Sequence, residues 1–258
     1  MSGAEYMEKK IQKSINIIFA ALVIIGTVFF EIAFVFFPDD HPDMDYSCSE
    51  YGGSWERVLE NGQREEVAVP GKCDAERGEI VTLETVLPDK IDNNRILCFR
   101  SAKQDMSFYV DGELRQVYST KNIRSFGKTS AAAYVFVEVK PEDAGKVFSV
   151  ETVTDSSYSG IFYTVYYGSV MGVWKMFFDK YRLELFVAFT TLILSVIVII
   201  ASAVLRVFYH KRVALEYLGW GILFAAVWLI TNSTFRQLVF RNLSIVNDFT
   251  FLTIMILP

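Results

Sequence analysis

Side chains that could act on a substrate are few in this sequence, and none is arranged as a known catalytic device. The nearest approach to a phosphate-binding loop is Ser125-Phe126-Gly127-Lys128-Thr129. A P-loop requires a further glycine at position 122, which is Asn122, so the backbone cradle for a phosphate is incomplete. The chain has 2 histidines, His41 and His210. Neither lies in a pattern that supplies a serine or cysteine nucleophile with a carboxylate behind the imidazole. The stretch Pro38-Asp39-Asp40-His41-Pro42-Asp43-Met44-Asp45 gathers oxygen and nitrogen donors of the kind calcium or zinc accepts. It lacks the spacing and the turn glycine of a calcium loop and reads as a solvated acidic linker. No Gly-Gly-Asp-Glu-Phe motif or kinase core occurs, so no catalytic residue, metal or cofactor is expected from these residues.

Three groups of residues keep a binding or redox interest. An aromatic cluster, Tyr158, Phe162, Tyr163, Tyr166 and Tyr167, follows the turn Asp155-Ser156-Ser157. Aromatic rings stack on sugars and line small-ligand pockets, and they also fill sandwich cores and interfaces. A ligand site would centre on Tyr158 and Phe162 together with the loop residues Ser125 and Lys128. Of the three cysteines, Cys98 lies between Leu97 and Phe99 and reads as a buried thiol, while Cys48 and Cys73 fall in loop-like sequence and could form a disulfide. Glu31 sits inside a long apolar run, six residues from its outer end, close enough to reach an interface.

That run sets the architecture. At 52% hydrophobic and 15% aromatic, the 258-residue chain is too apolar for an ordinary soluble domain. Residues 15–37 are almost uninterruptedly apolar and would make a helix about 35 Å long, enough to span a bilayer. They exceed a signal-peptide core and no small-x-small cleavage site follows, so they read as an uncleaved anchor. Residues 183–207 and 213–231 are further candidate spans, and 248–258 starts another, which reads as incomplete. Lys9, Lys10 and Lys13 precede the first span, and Arg206, Lys211 and Arg212 follow the second. The positive-inside bias then places residues 1–14 in the cytoplasm and 38–181 outside. The outer segment carries 24 Asp plus Glu against 16 Lys plus Arg, a net of −8. So acidic a domain argues against nucleic acid or anionic lipid as partners.

Residues 38–181 read as strands and turns. Val81 to Leu87 alternates with period two up to Pro88, and Asp111-Gly112 and Asn61-Gly62 are hairpin turns between such runs. About eight short strands, including Arg95–Ser101, 131–139, 146–153 and 161–170, predict an all-β jelly-roll sandwich or barrel.

The stretches "GEIVTLETVLP", "RILCFRSAKQDMSFYVDGELRQVYS" and "AAAYVFVEVKPEDAGKVFSVETV" resemble the galactose-binding-like jelly-roll domains carried outside many bacterial membrane receptors. Downstream, "ALEYLGWGILFAAVWLITNSTFRQLVFRNLS" and "FLTIMILP" are similar to the opening of bacterial seven-transmembrane receptors with diverse intracellular signalling modules. Leu218, Gly219, Trp228, Leu229, Thr231, Ser233, Leu257 and Pro258 carry that pattern. The resemblance implies that 182–258 is a partial helix bundle, broken off near Pro258. It also implies a multi-pass cell-membrane location and an output module, diguanylate cyclase by preference, beyond this sequence. The expected partners are the lipid bilayer and an extracytoplasmic small molecule or glycan, with a homodimer compatible. The aromatic and charged segment Trp174 to Arg182 is where a signal would cross. The competing reading is a membrane-anchored carbohydrate-binding or cell-envelope adhesion module.

Overall fold

A computed structural model describes residues 44–123, 129–209 and 215–256, together with Ala21, Ile24, Ile25, Gly26, Val28, Phe29 and Ile32. Those seven are helical; the rest of the expected anchor, Glu31 included, and His41, Ser125, Lys128 and His210 lie outside the described residues. The chain divides into two compact units, one of 44–182 with 227–258 and one of 1–43 with 183–226.

The first unit is an all-β sandwich joined to helical segments. Its twelve strands are β1 (Cys48–Glu50), β2 (Trp55–Val58), β3 (Arg64–Val67), β4 (Gly71–Lys72), β5 (Val81–Val86), β6 (Arg95–Ser101), β7 (Asp105–Val110), β8 (Glu113–Tyr118), β9 (Ala133–Val139), β10 (Val147–Val153), β11 (Ile161–Phe162) and β12 (Tyr166–Gly168). They form a six-stranded sheet, β3-β2-β5-β10-β7-β8, a four-stranded sheet, β1-β12-β6-β9, and a small ribbon of β4 with β11. Every pairing is antiparallel. Alternate residues of the facing strands supply the core: Leu83, Phe108, Phe148 and Val150 from one sheet, Leu97, Phe99, Val135 and Val137 from the other. The rings of Phe99 and Phe148 stack at 5.8 Å with their planes 8° apart.

Turn chemistry fixes the register. Asp111 and Gly112 both take positive φ, 48° and 79°, the requirement of a two-residue hairpin between β7 and β8. The expected Pro-x-Asp-Ala-Gly-Lys run is a structural clasp: the buried Asp143 carboxylate accepts from the Lys140 N–H at 2.9 Å and from Arg115 of β8 at 2.8 and 2.9 Å.

Two expectations are corrected. Residues 161–170 are not one strand: β11 pairs with β4, β12 pairs with β6, and a helix starts at Val170 because the Ser169 hydroxyl accepts the Gly172 N–H at 2.9 Å and caps it. The Cys48–Cys73 disulfide is not formed, and all three cysteines are free thiols. Cys48 lies on an edge strand of the four-stranded sheet, whereas Cys73 packs into the inner core next to the ribbon.

Helix α1 (Val170–Tyr209) runs 40 residues, about 60 Å at the usual rise, and α2 (Leu215–Asn232), α3 (Arg236–Val239) and α4 (Leu243–Ile256) follow. Val170–Val207 is the one helix among the described residues long and apolar enough to cross a membrane. In the second unit α1 and α2 approach closely at Gly219, where an added Cβ would stand 2.8 Å from Ile199 Cγ1. Arg206 near the end of α1 and Glu216 in the first turn of α2 pair at 3.1 Å.

Candidate functional site: the covered face of the four-stranded sheet

The outward rows of this sheet follow from its register. Glu50, Tyr166, Cys98 and Phe136 stand side by side on β1, β12, β6 and β9, with Arg100 and Tyr134 in the next row. An outward row facing water would be polar. Here Ile96 and Cys98 are 5% and 0% exposed, so something covers them.

The cover is the first three turns of α1. Val173 and Phe177, one helical turn apart, are fully buried, and the Phe177 ring lies 4.3 Å from Tyr134 and 5.8 Å from Tyr166. Trp174 meets Phe136 at 5.4 Å and Phe235, just before α3, at 6.1 Å. Phe178 meets Phe235 at 6.1 Å as well. Apart from the closer Tyr134–Phe177 contact, these pairs fall in the favourable range of about 4.5 to 7 Å between ring centres. The start of the helix is sewn to the chain entering β1: the Ser169 N–H donates to Ser47 O at 2.9 Å and its hydroxyl donates to Asp45 O. Gly172 makes that approach feasible, since a Cβ there would sit 2.2 Å from the Ser47 carbonyl oxygen.

A second attachment holds the edge of the sheet. Strand β9 is terminal, so Tyr134 has a backbone N–H and C=O without a strand partner. The Gln237 carboxamide of α3 takes both: its Oε1 accepts from Tyr134 N–H at 2.9 Å and its Nε2 donates to Tyr134 O at 3.3 Å. One side chain therefore substitutes for a neighbouring strand and blunts the edge. Arg236 adds a bond to Ala132 O at 2.8 Å. Burial lowers the Arg236 pKa from its ordinary value, and Arg100 nearby pushes in the same direction. Burial also raises Cys98 and Tyr134 well above their usual ranges and raises Tyr166. The joint therefore favours neutral side chains over ionised ones.

The residues expected to bind a ligand stand elsewhere. Tyr158 lies in the loop before β11, where its carbonyl and that of Ile161 accept from the buried Gln104 Nε2 at 2.8 and 3.0 Å. Its ring sits under Lys103 Nζ at 5.5 Å. Phe162 is a core residue, and the gap it lines with Trp55 and Gln104 holds about 10 Å³, room for one water. Ser125 and Lys128 lie outside the described residues. No group of three or more metal-ligating side chains occurs among the described residues.

Of the joint, the sequence pointed to Trp174–Arg182 and not to Tyr134, Phe136, Phe235, Arg236 or Gln237. Two aromatic residues at the outward positions of β9, Tyr134 and Phe136, were the available signal, because a solvated face has no use for them.

No protein-family description matches the chain, and no curated protein matches it. Two crystal structures of a GH2 beta-galacturonidase from Eisenbergiella tayi, one bound to galacturonate and one to glycerol, are similar in part, at 14% identity and TM-scores of 0.31 and 0.29. Each likeness covers 48% of this chain and 24% of the enzyme, so the chain spans about a quarter of the length of those structures.

Proposed function

We propose that this chain is the sensory portion of a bacterial membrane receptor. Its sandwich meets an extracytoplasmic small molecule or glycan, and its helices carry the change to a cytoplasmic output module. The observation that supports this best is the double attachment of one sheet, to the start of a long apolar helix through Phe177 and to the turn between α2 and α4 through Gln237. A shift of β9 against β6 has to move both attachments at once. A ligand that binds one arrangement better shifts the population by its differential affinity.

The loop that carries Gln237 follows α2 and touches the sandwich, which agrees with a topology in which both lie outside the membrane. The resemblance of 182–258 to the seven-transmembrane receptors supports a bundle, and diguanylate cyclase remains the preferred output because that order of anchor, sandwich and bundle resembles membrane-bound cyclases. An adhesion module would need the sandwich and an anchor but no hydrogen-bonded joint to an interhelical turn.

The test is a screen of monosaccharides, oligosaccharides and polymeric glycans against the full chain in nanodiscs, with amide exchange in β9 and α3 as the readout. A small ligand that alters exchange at Tyr134 and Gln237 supports the receptor reading. Binding of polymeric glycan alone, with both amides unchanged, overturns it in favour of adhesion.

A further inference from the structure

The two sides of the first turns of α1 differ. Val173, Phe177 and Tyr181 line the aromatic joint, while Gly172, Lys175, Met176, Asp179 and Lys180, spaced three and four apart, share another face. That second face and strand β1 with Tyr166 enclose an open groove of about 690 Å³, within the range of small-molecule sites.

Four charged side chains line the groove, Lys175 and Lys180 with Glu50 and Asp179. All four are exposed, and none forms an ion pair among the described residues. Lys175 Nζ instead rests over the Tyr46 ring at 4.5 Å, and Lys180 Nζ over Tyr181 at 5.6 Å. Two ammonium groups and two carboxylates left unpaired around one cleft match a ligand that itself carries both charges. A phosphate would take the lysines, and a primary ammonium would donate to the carboxylates. A purely anionic group would meet Glu50 and Asp179 unfavourably, and a quaternary ammonium has no N–H to give them.

Position along the helix identifies the source. The apolar run begins at Leu183, three residues after Lys180, so Lys180 stands about 4.5 Å before it and Gly172 about 16 Å. A headgroup layer is roughly 5 to 8 Å thick on each side of the hydrocarbon, so the end of the groove at Asp179 and Lys180 opens where headgroups are. We propose that this groove holds the headgroup of a zwitterionic membrane phospholipid bearing a primary amine, of the phosphatidylethanolamine type. The proposal rests on the membrane reading above. It assigns a lipid ligand to the turns of α1 that also carry Trp174 and Phe177, so lipid composition bears on the joint.

The experiment uses the full chain in nanodiscs of mixed phosphatidylethanolamine, phosphatidylcholine and phosphatidylglycerol, extracted into detergent, with retained lipid identified by native mass spectrometry. The wild type is expected to retain phosphatidylethanolamine at least about tenfold over the other two, the size of one lost charge-assisted bond. Lys175→Gln with Lys180→Gln should abolish retention, whereas Glu50→Gln with Asp179→Asn should keep retention and lose the preference over phosphatidylcholine. These positions are exposed, and a thermal melt unchanged from wild type verifies that both variants fold. Equal retention of all three lipids by the wild type, or unchanged selectivity in both variants, overturns the proposal while leaving the receptor reading intact. Binding of soluble phosphoethanolamine without lipid retention also overturns it, assigning the groove to a free solute. A chain that fails to enter nanodiscs overturns the membrane reading and the lipid with it.

Discussion

The two sheets of the sandwich turn opposite kinds of surface outward. On the six-stranded sheet the central outward positions are polar and paired, Arg64 with Glu84 at 2.7 Å, Ser149 donating to Glu84 at 3.3 Å, and the Tyr109 hydroxyl donating to Glu151 at 2.9 Å, and even the apolar Val86, Leu114 and Val117 of this sheet stand exposed. On the four-stranded sheet the corresponding positions hold Ile96, Cys98, Tyr134, Phe136 and Tyr166, covered by α1 and the turn before α4. Both sheets share the same inner core, so stability of the sandwich alone does not explain the difference. An antiparallel sheet needs only one buried face. A second buried face on one sheet means that this sheet has a partner, and here the partner is the helical part of the chain.

Substitutions can break that contrast, beginning with the largest effect. Phe177→Ala removes a fully buried ring from the joint and should cost about 3 kcal/mol, read from chemical unfolding of the full chain in detergent. A loss below about 1 kcal/mol would mean the helix is only laid against the sheet. Alkaline pH is the next lever. Cys98, Tyr134 and Tyr166 have pKa values raised mainly by burial, so the folded state holds their protons more tightly than the unfolded state. Their contribution is complete below the unfolded values, about 8.5 for a thiol and 10 for a phenol, and is lost as pH rises beyond them. Melting temperature should therefore fall above about pH 9, and Cys98→Ala should weaken the earlier part of that fall.

Thiol chemistry sharpens the same comparison at smaller cost. Cys98 is fully buried under α1 and its thiol is held neutral, so it should resist maleimide at pH 8 until the chain unfolds. Cys48, part-exposed in the groove, should label in the folded protein, and equal rates at the two would deny that the face is covered. Smallest of all, Tyr109→Ala on the solvated sheet should change stability by about 0.5 kcal/mol or less.

The sandwich was legible because its signals are local. Period-two alternation marked β5, Asp111-Gly112 marked the β7–β8 turn, and Pro141 to Lys146 marked the clasp before β10. The strands missed, β1 and β4, have three and two residues and too little alternation to detect. The start of α1 was hidden for another reason. Residues 161–168 do contain strand, and the change to helix rests on the Ser169 cap and on Gly172 passing the Ser47 carbonyl, a contact 125 residues away in sequence. Aromatic content at 158–167 suggested a ligand site, yet Phe162 fills the core and Tyr166 serves the joint. Gln237 carries no sequence signal, because the strand edge it closes exists only once the sheet has formed.

The central claim is that the four-stranded sheet is hydrogen-bonded to the interhelical turn, and the Tyr134 amide reports on it directly. Amide exchange on the full chain in nanodiscs, wild type against Gln237→Ala, isolates that bond. The Tyr134 N–H should be protected in the wild type and exchange at least about tenfold faster in the variant, while the Val135 and Val137 amides stay as they were. Equal exchange at Tyr134 in the two proteins would contradict the joint, and with it the route by which the sandwich is proposed to move the helices.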